Sequence, residues 1–196
     1  MDKSEQTRNH IIEKSGPIFN KKGYIGTSFS DIVNETGFSK GAIYGHFKDK
    51  DELALAVLEN NLQLASGIIF SNVKERQSAI EKLIGFAQSY SVFYDIITSA
   101  GGCPVINAGV DSDDGQKDIL KRVNEFISMW QNSIDKIIKE GIKNGEFKKS
   151  DEITDFSNIF IALIEGGILL SKIKNDRKYI DNASAYLVSL INKLGI

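Results

Sequence analysis

An all-α fold follows from three features of the 196-residue chain. Apolar residues recur at i, i+3, i+4 and i+7 along most of its length. No stretch alternates polar and apolar with a period of two. Capping residues (Ser, Asp or Gly) stand at the ends of the periodic segments. The arrangement expected is an N-terminal three-helix domain, residues 1–48, followed by a larger helical domain, residues 49–196, about nine helices in total. A helix over 49–70 should connect the two.

The first helix is expected over 4–22, with Ser4 as a possible cap and Ile11, Ile12, Ser15, Ile18 and Phe19 on one face. Pro17 lies inside it, lacks a backbone donor and crowds the carbonyl of Glu13, so the sequence predicts a kink near Gly16–Pro17. The stretch Thr27 to Phe47, TSFSDIVNETGFSKGAIYGHF, then reads as a helix-turn-helix. Ser28 caps its first helix with Asp31 three residues on, and Phe29, Ile32, Val33 and Thr36 share a face. Gly37 supplies the turn and Phe38 an apolar plug. Ser39 caps the second helix, which points Ala42, Ile43 and Phe47 inward and leaves Lys40, Gly41, Tyr44, Gly45 and His46 outside. Donors and an aromatic ring on such an outer face suit a helix that enters the DNA major groove.

Asp49 and Glu52 form a further capping box, opening a helix to about Phe70 with Leu53, Ala56, Val57, Leu62, Ala65 and Ile69 on its apolar face. It is expected to be the one element shared by both domains. Residues 78–98 continue as a helix, whereas 99–115, SAGGCPVINAGVDSDDG, read as one long irregular stretch containing a solvated Asp113–Asp114 pair. A helix from Gln116 to about Asn144 follows, stopped by Gly145. Asp151 should cap the next, over 152–173, and the last should run over 176–194.

Composition narrows the function. Hydrophobic residues at 41% and charged ones at 26% are ordinary for a globular protein. No uninterrupted apolar run approaches the roughly 20 residues of a membrane span, so no membrane role is expected. The polar start MDKSEQTRNH lacks the core of a secretory signal. A single cysteine excludes an internal disulfide and fits a reducing cytoplasm. The net charge of −2 is divided unevenly, +2 over residues 1–50 and −4 over the rest, which weakly favours an anionic partner for the N-terminal part. An enzyme is not expected: both histidines, His10 and His46, fall in the first domain, and there is no Gly-rich phosphate loop, metalloprotease motif or zinc cysteine pair. No metal or cofactor is expected either.

Gly23–Tyr24, Thr27–Ser28, Asp31–Ile32, Gly37–Phe38–Ser39–Lys40–Gly41, Ile43–Tyr44, His46–Phe47 and Lys50–Asp51–Glu52–Leu53 together resemble the DNA-binding domain of TetR/AcrR-type transcriptional regulators. The match covers about the first quarter of the chain. It implies a ligand-responsive regulator, most often a repressor, that binds a palindromic double-stranded DNA operator. By the resemblance, Thr27, Ser28, Tyr44, His46 and Lys50 contact phosphates, and Ser39, Lys40, Gly41 and Ala42 lie nearest the DNA bases. Phosphate contacts set register, whereas base-edge contacts read sequence. Gly45 departs from the family pattern, in which a larger side chain is common.

The resemblance also implies a homodimer built from the last two helices, residues 152–173 and 176–194, with Leu163 and Leu187 expected in the interface and Gly166–Gly167 allowing close approach. GGCPVIN, Gly101 to Asn107, resembles a segment beside the ligand cavity in one branch of these regulators. Cys103 and Asn107 are therefore candidate contacts for a small-molecule effector, with Cys103 in a plain structural turn as the alternative. Phe86, Tyr90, Tyr94, Phe126, Trp130 and Phe160 complete the candidate pocket. Their stripes carry no inward charge, so the effector should be neutral or weakly polar. The competing function is a helical scaffold without DNA binding; an activator is the other possibility within the same class.

Overall fold

In the computed structural model residues 2–112, 115–148 and 155–195 are described. Among them are ten helices, and the only extended pairing is an isolated bridge between Phe147 and Gly195. The helices gather into two compact units. Met1–Ala65 and Ser99–Asn124 form the first; Ser66–Thr98 and Glu125–Ile196 form the second.

The first unit begins with α1, Lys3–Lys22, which is capped by Asp2 rather than Ser4: the Asp2 carboxylate accepts from the Glu5 amide at 2.8 Å. Pro17 does not break this helix. The carbonyl of Gly16 beside it accepts from Asn61 Nδ2 at 3.2 Å, so a side-chain donor serves that part of the helix. α2, Phe29–Thr36, starts on the expected capping box of Ser28 and Asp31 and ends at Gly37, whose left-handed backbone (φ 74°) a side chain would strain. α3, Lys40–Tyr44, is just five residues long and starts on Ser39. α4, Lys50–Ser71, is entered through Asp49, which accepts from the Glu52 amide at 2.9 Å, while the Glu52 carboxylate reaches back to the Lys48 amide. Ile11, Phe19, Tyr24, Ile32, Ile43, Phe47, Leu53 and Leu58 are buried.

Residues expected to be irregular instead contain α7, Pro104–Ser112. Proline is well suited to a first helical position, where its missing N–H has no partner to lose, and buried Val105, Ala108 and Ser112 repeat at helical spacing behind it. The Asp113–Asp114 pair lies outside the described residues, as do Asp151 and residues 152–154 of the expected dimer helix.

The second unit holds the end of α4, then α5, Ala79–Val92, and α6, Tyr94–Ser99. These two were expected as one helix over 78–98. At the break the Ser91 carbonyl accepts from Arg177 Nη2 at 3.0 Å, a contact from far along the chain. α8, Lys117–Lys143, passes from the first unit to the second, so α4 is not the sole shared element. α9, Phe156–Lys174, and α10, Lys178–Leu194, pack on each other and on α5. Close approach of α9 to α10 depends on Gly167, where a Cβ would stand 3.1 Å from Ala183 Cβ and from Ile180 Cα.

By length and composition two helices suffice to cross a membrane, Lys50–Ser71 and Phe156–Lys174, with mean hydropathies of 1.4 and 1.6, where no such segment was expected. Both contribute buried faces to the units, Leu53, Val57, Leu58 and Leu62 from α4 and Phe160, Ile164 and Ile168 from α9, which accounts for their apolarity as core helices.

Leu187, expected at the dimer interface, is 0% exposed within the single chain, and Leu163 is half-buried. The helical face of α10 that carries Leu187, with Ile180, Ser184 and Ile191, is turned inward, so these residues are core. Leu187→Ala is therefore expected to lower protomer stability by about 2–5 kcal/mol in urea denaturation. A variant with an unchanged unfolding midpoint would contradict this placement.

Candidate nucleic-acid interface

The helix-turn-helix surface is assembled from α2, α3 and the turn that precedes them. α2 and α3 are too short to persist alone, so caps and packing must hold them. Ser39 Oγ accepts from the Ala42 amide at 3.2 Å, and Ile43 and Phe47 anchor the inner side. Lys40, Gly41, Tyr44 and Gly45 are exposed, while Ala42 and His46 are half-buried.

Tyr44, 44% exposed, stacks on Phe29 of α2 with ring centroids 4.8 Å apart. The Lys40 ammonium stands 5.2 Å from the Phe29 ring and 5.8 Å from that of Tyr44, within range of a cation–π attraction. This three-residue stack presents an ammonium and a phenol side by side. The sequence places Phe29 on one face of α2 with Ile32, Val33 and Thr36 but gives no local signal of its stack on Tyr44, which lies on the next helix.

At the start of α2, Ser28 Oγ donates to Asp31 at 2.8 Å and accepts from the Asp31 amide. Lys22 holds the same carboxylate at 2.5 Å. The Lys22 hydrogen bond, then those from Ser28, lower the Asp31 pKa from 3.8 to about 2. A depressed carboxylate contributes to folding while ionised, so this contribution is present above about 3.8 and is lost as the pH falls through about 2. Near neutrality the pair leaves little net negative charge where a phosphate would approach.

Thr27 does not fit the side-chain phosphate contact expected of it. It is fully buried, and its hydroxyl donates to the Gly23 carbonyl at 2.6 Å. Its own carbonyl and that of Ile25 accept from Lys50 Nζ at 3.1 and 3.0 Å. An ammonium carries three donors, so Lys50 can secure the turn with two and offer the third to a phosphate.

The other candidate residues divide between the units. Cys103 and Asn107 belong to the first. Asn107 Nδ2 lies 2.9 Å from both the Asn20 carbonyl and Asn20 Oδ1, and 3.0 Å from the Gly101 carbonyl, so the amide expected to meet a ligand instead ties the GGCPVIN segment to the end of α1. Asn20 completes the tie by donating to the carbonyls of Ala100 and Gly102.

Phe86, Tyr90, Tyr94, Phe126, Trp130 and Phe160 belong to the second unit. Phe86 stacks on Phe160 at 5.5 Å, and Tyr90 on Trp130 at 5.6 Å. Trp130 is 6% exposed, and its buried indole N–H has no hydrogen-bond partner among the described residues. Tyr94 is buried under the Arg177 guanidinium, 5.8 Å from its ring, and Phe126 is half-buried.

Residues 11–57 match the family model for bacterial regulatory proteins of the tetR family, and 79–187 match the tetracyclin repressor-like C-terminal domain. Curated relatives include an uncharacterised helix-turn-helix regulator from the lacX 3′ region of Lactococcus lactis, 25% identical over 96% of this chain and 95% of that protein. The transcriptional repressor DhaR of a Mycobacterium species is 25% identical over 89% of this chain and 86% of its own. Among solved structures, a TetR-family regulator from Cytophaga hutchinsonii is 32% identical with a TM-score of 0.93, covering 100% of this chain and 98% of its own. One from Chloroflexus aurantiacus is 28% identical with a TM-score of 0.94 and the same coverage. The fold and the surface of α2 and α3 thus define a DNA-binding transcriptional regulator and not an enzyme. The chain belongs to the TetR family.

Lys50→Ala is expected to weaken binding to specific and random DNA alike and to lower the salt slope by about one unit, since a phosphate contact carries no base information. Tyr44→Phe should preserve the stack on Phe29 and lose only a hydroxyl contact, whereas Tyr44→Ala should also release Lys40. Anisotropy titrations across a salt series measure each effect, and equal losses for the two Tyr44 variants would remove the stack from the account.

Proposed function

We propose that this regulator is a homodimeric repressor, released from a near-palindromic operator by a small, largely apolar effector. The observation that carries the DNA half of this reading is the stack of exposed Lys40 and Tyr44 on Phe29, with the Lys50 ammonium held at the turn that leads into α2. In the proposed docking, Ser28, Tyr44, His46 and Lys50 meet phosphates, while Ser39, Lys40, Gly41 and Ala42 lie against base edges. Lys40 has the donors for a guanine O6 or N7, and Ala42 suits a thymine methyl. With Gly45 offering no side chain, more of the selectivity rests on DNA shape. Such a protein acts where the DNA is, in the bacterial cytoplasm.

Dimerisation is supported by an apolar band on the outer sides of α9 and α10. Ile159, Leu169, Leu170, Ile173 and Tyr186 are exposed there, Ile173 at 65% and Tyr186 at 54%. Two copies joined by this band present two recognition helices to half-sites about one helical turn apart. Unlike Leu187, these positions tolerate a charge in the isolated protomer, so Ile173→Glu or Tyr186→Glu should yield folded monomers by light scattering. A wild type that is monomeric at micromolar concentration would refute the dimer.

The effector half rests on the second-unit aromatic cluster. Its flat rings, the absence of charge on their stripes and the unpartnered Trp130 N–H favour a neutral molecule carrying a hydrogen-bond acceptor. Asn107, already tied to Asn20, is left out of this site. Induction requires that the effector prefer a non-binding arrangement; a hundredfold weakening of operator affinity corresponds to about 2.7 kcal/mol of coupling. Trp130 is the chain's single tryptophan, so its fluorescence reports entry directly. With an effector identified by native mass spectrometry, Trp130→Ala is expected to reduce induction severalfold while ligand-free operator affinity stays within about twofold. A full wild-type response in that variant would place the effector elsewhere.

A further inference from the structure

We infer that Asp111, on α7, is a positioning residue for DNA binding: its carboxylate clamps the turn 23–27 that Lys50 also bonds, and so holds the α2 cap and the Lys50 ammonium in their docking geometry. The inference rests on the phosphate role proposed above for Lys50 and Ser28.

The turn between α1 and α2 belongs to no regular element, and its polar backbone groups need partners from elsewhere. Gly23 provides one by receiving both the Thr27 amide, at 3.2 Å, and the Thr27 hydroxyl. Lys50 supplies a donor for the outward carbonyls of Ile25 and Thr27. The Ile25 amide donates to Asp111 Oδ2 at 2.6 Å, across 86 residues of sequence. A short amide-to-carboxylate bond of this kind is stronger than a neutral pair.

Steric evidence places the carboxylate deliberately close. At Gly23, with φ of 88°, a Cβ would stand 3.0 Å from each Asp111 oxygen. A side chain there would be strained in the backbone and would push the carboxylate away. α7 is itself anchored, through Asn107 and Asn20, to the end of α1 from which the turn emerges. Asp111 therefore has a fixed base, and Ser28 begins α2 one residue beyond the clamped turn.

Asparagine is nearly isosteric with aspartate and keeps an acceptor oxygen for the Ile25 amide; alanine keeps none. The test uses the full-length protein and a fluorescein-labelled random-sequence duplex of about 30 base pairs, titrated by anisotropy over a salt series. Asp111→Ala is expected to weaken binding about tenfold and lower the salt slope by about one unit. Asp111→Asn should stay within about twofold of wild type. Combining Asp111→Ala with Lys50→Ala should cost little more than Lys50→Ala alone, because both substitutions release the same turn. Hydrogen exchange at the Ile25 amide, protected in the wild type and fast in the alanine variant, reads the clamp itself without DNA. Wild-type affinity and slope in Asp111→Ala, equal damage in Asp111→Asn, additive losses in the double variant, or an Ile25 amide unprotected in the wild type would each overturn the inference. If Lys50→Ala alone changed nothing, the docking reading would fall first; a Lys50 effect with no Asp111→Ala effect would sink the clamp alone.

Discussion

The Lys50 ammonium is the contact on which the geometry of the N-terminal unit depends. Two of its three donors end on the carbonyls of Ile25 and Thr27, in a turn that could not satisfy them locally. Without that bond two carbonyls would be left to water, and the first residue of α2 would lose its fixed distance from α4. Lys50 is the opening residue of α4, so one side chain links the start of the long helix to the turn that leads into α2. The same group is left with a donor for phosphate, which makes architecture and proposed docking consequences of one charge.

The elements around it are short, and their stability comes from their ends. α2 and α3 each begin on a serine whose hydroxyl accepts an otherwise unpaired amide, and α2 adds the reciprocal bond from Asp31. Asp31 bears a negative charge at a surface meant for an anion, and Lys22 offsets it at close range. The Phe29–Tyr44 stack joins the two short helices on their outer side, and Ile32 and Ile43 anchor them on the inner side.

The second unit shows a different economy. Phe86, Phe160, Tyr90 and Trp130 stack in pairs within it, and the indole N–H of Trp130 has no acceptor among the described residues. A buried donor of this kind costs free energy that a purely structural core would avoid by using phenylalanine. That cost is the physical basis for the effector site proposed at this cluster. α4 and α8 each contribute residues to both units, so any rearrangement around the aromatic rings has two helices through which to act.

What the sequence determined by itself was local. The capping residues Ser28, Ser39 and Asp49, the turn at Gly37 and the helical stripes needed only neighbours within a turn or two, and the structure has them where the spacing put them. α7 was legible too, in the spacing of Val105, Ala108 and Ser112 behind Pro104, but Gly and Asp content outweighed it. Tertiary structure decided what depended on distant partners. It split α5 from α6 where Arg177 takes the Ser91 carbonyl, turned Leu187 into the core, committed Asn107 to Asn20, buried Thr27, and brought Asp111 to Ile25. A helical stripe states that a face will be covered, but it contains nothing about which surface covers it, because that choice is made by contacts between residues tens of positions apart.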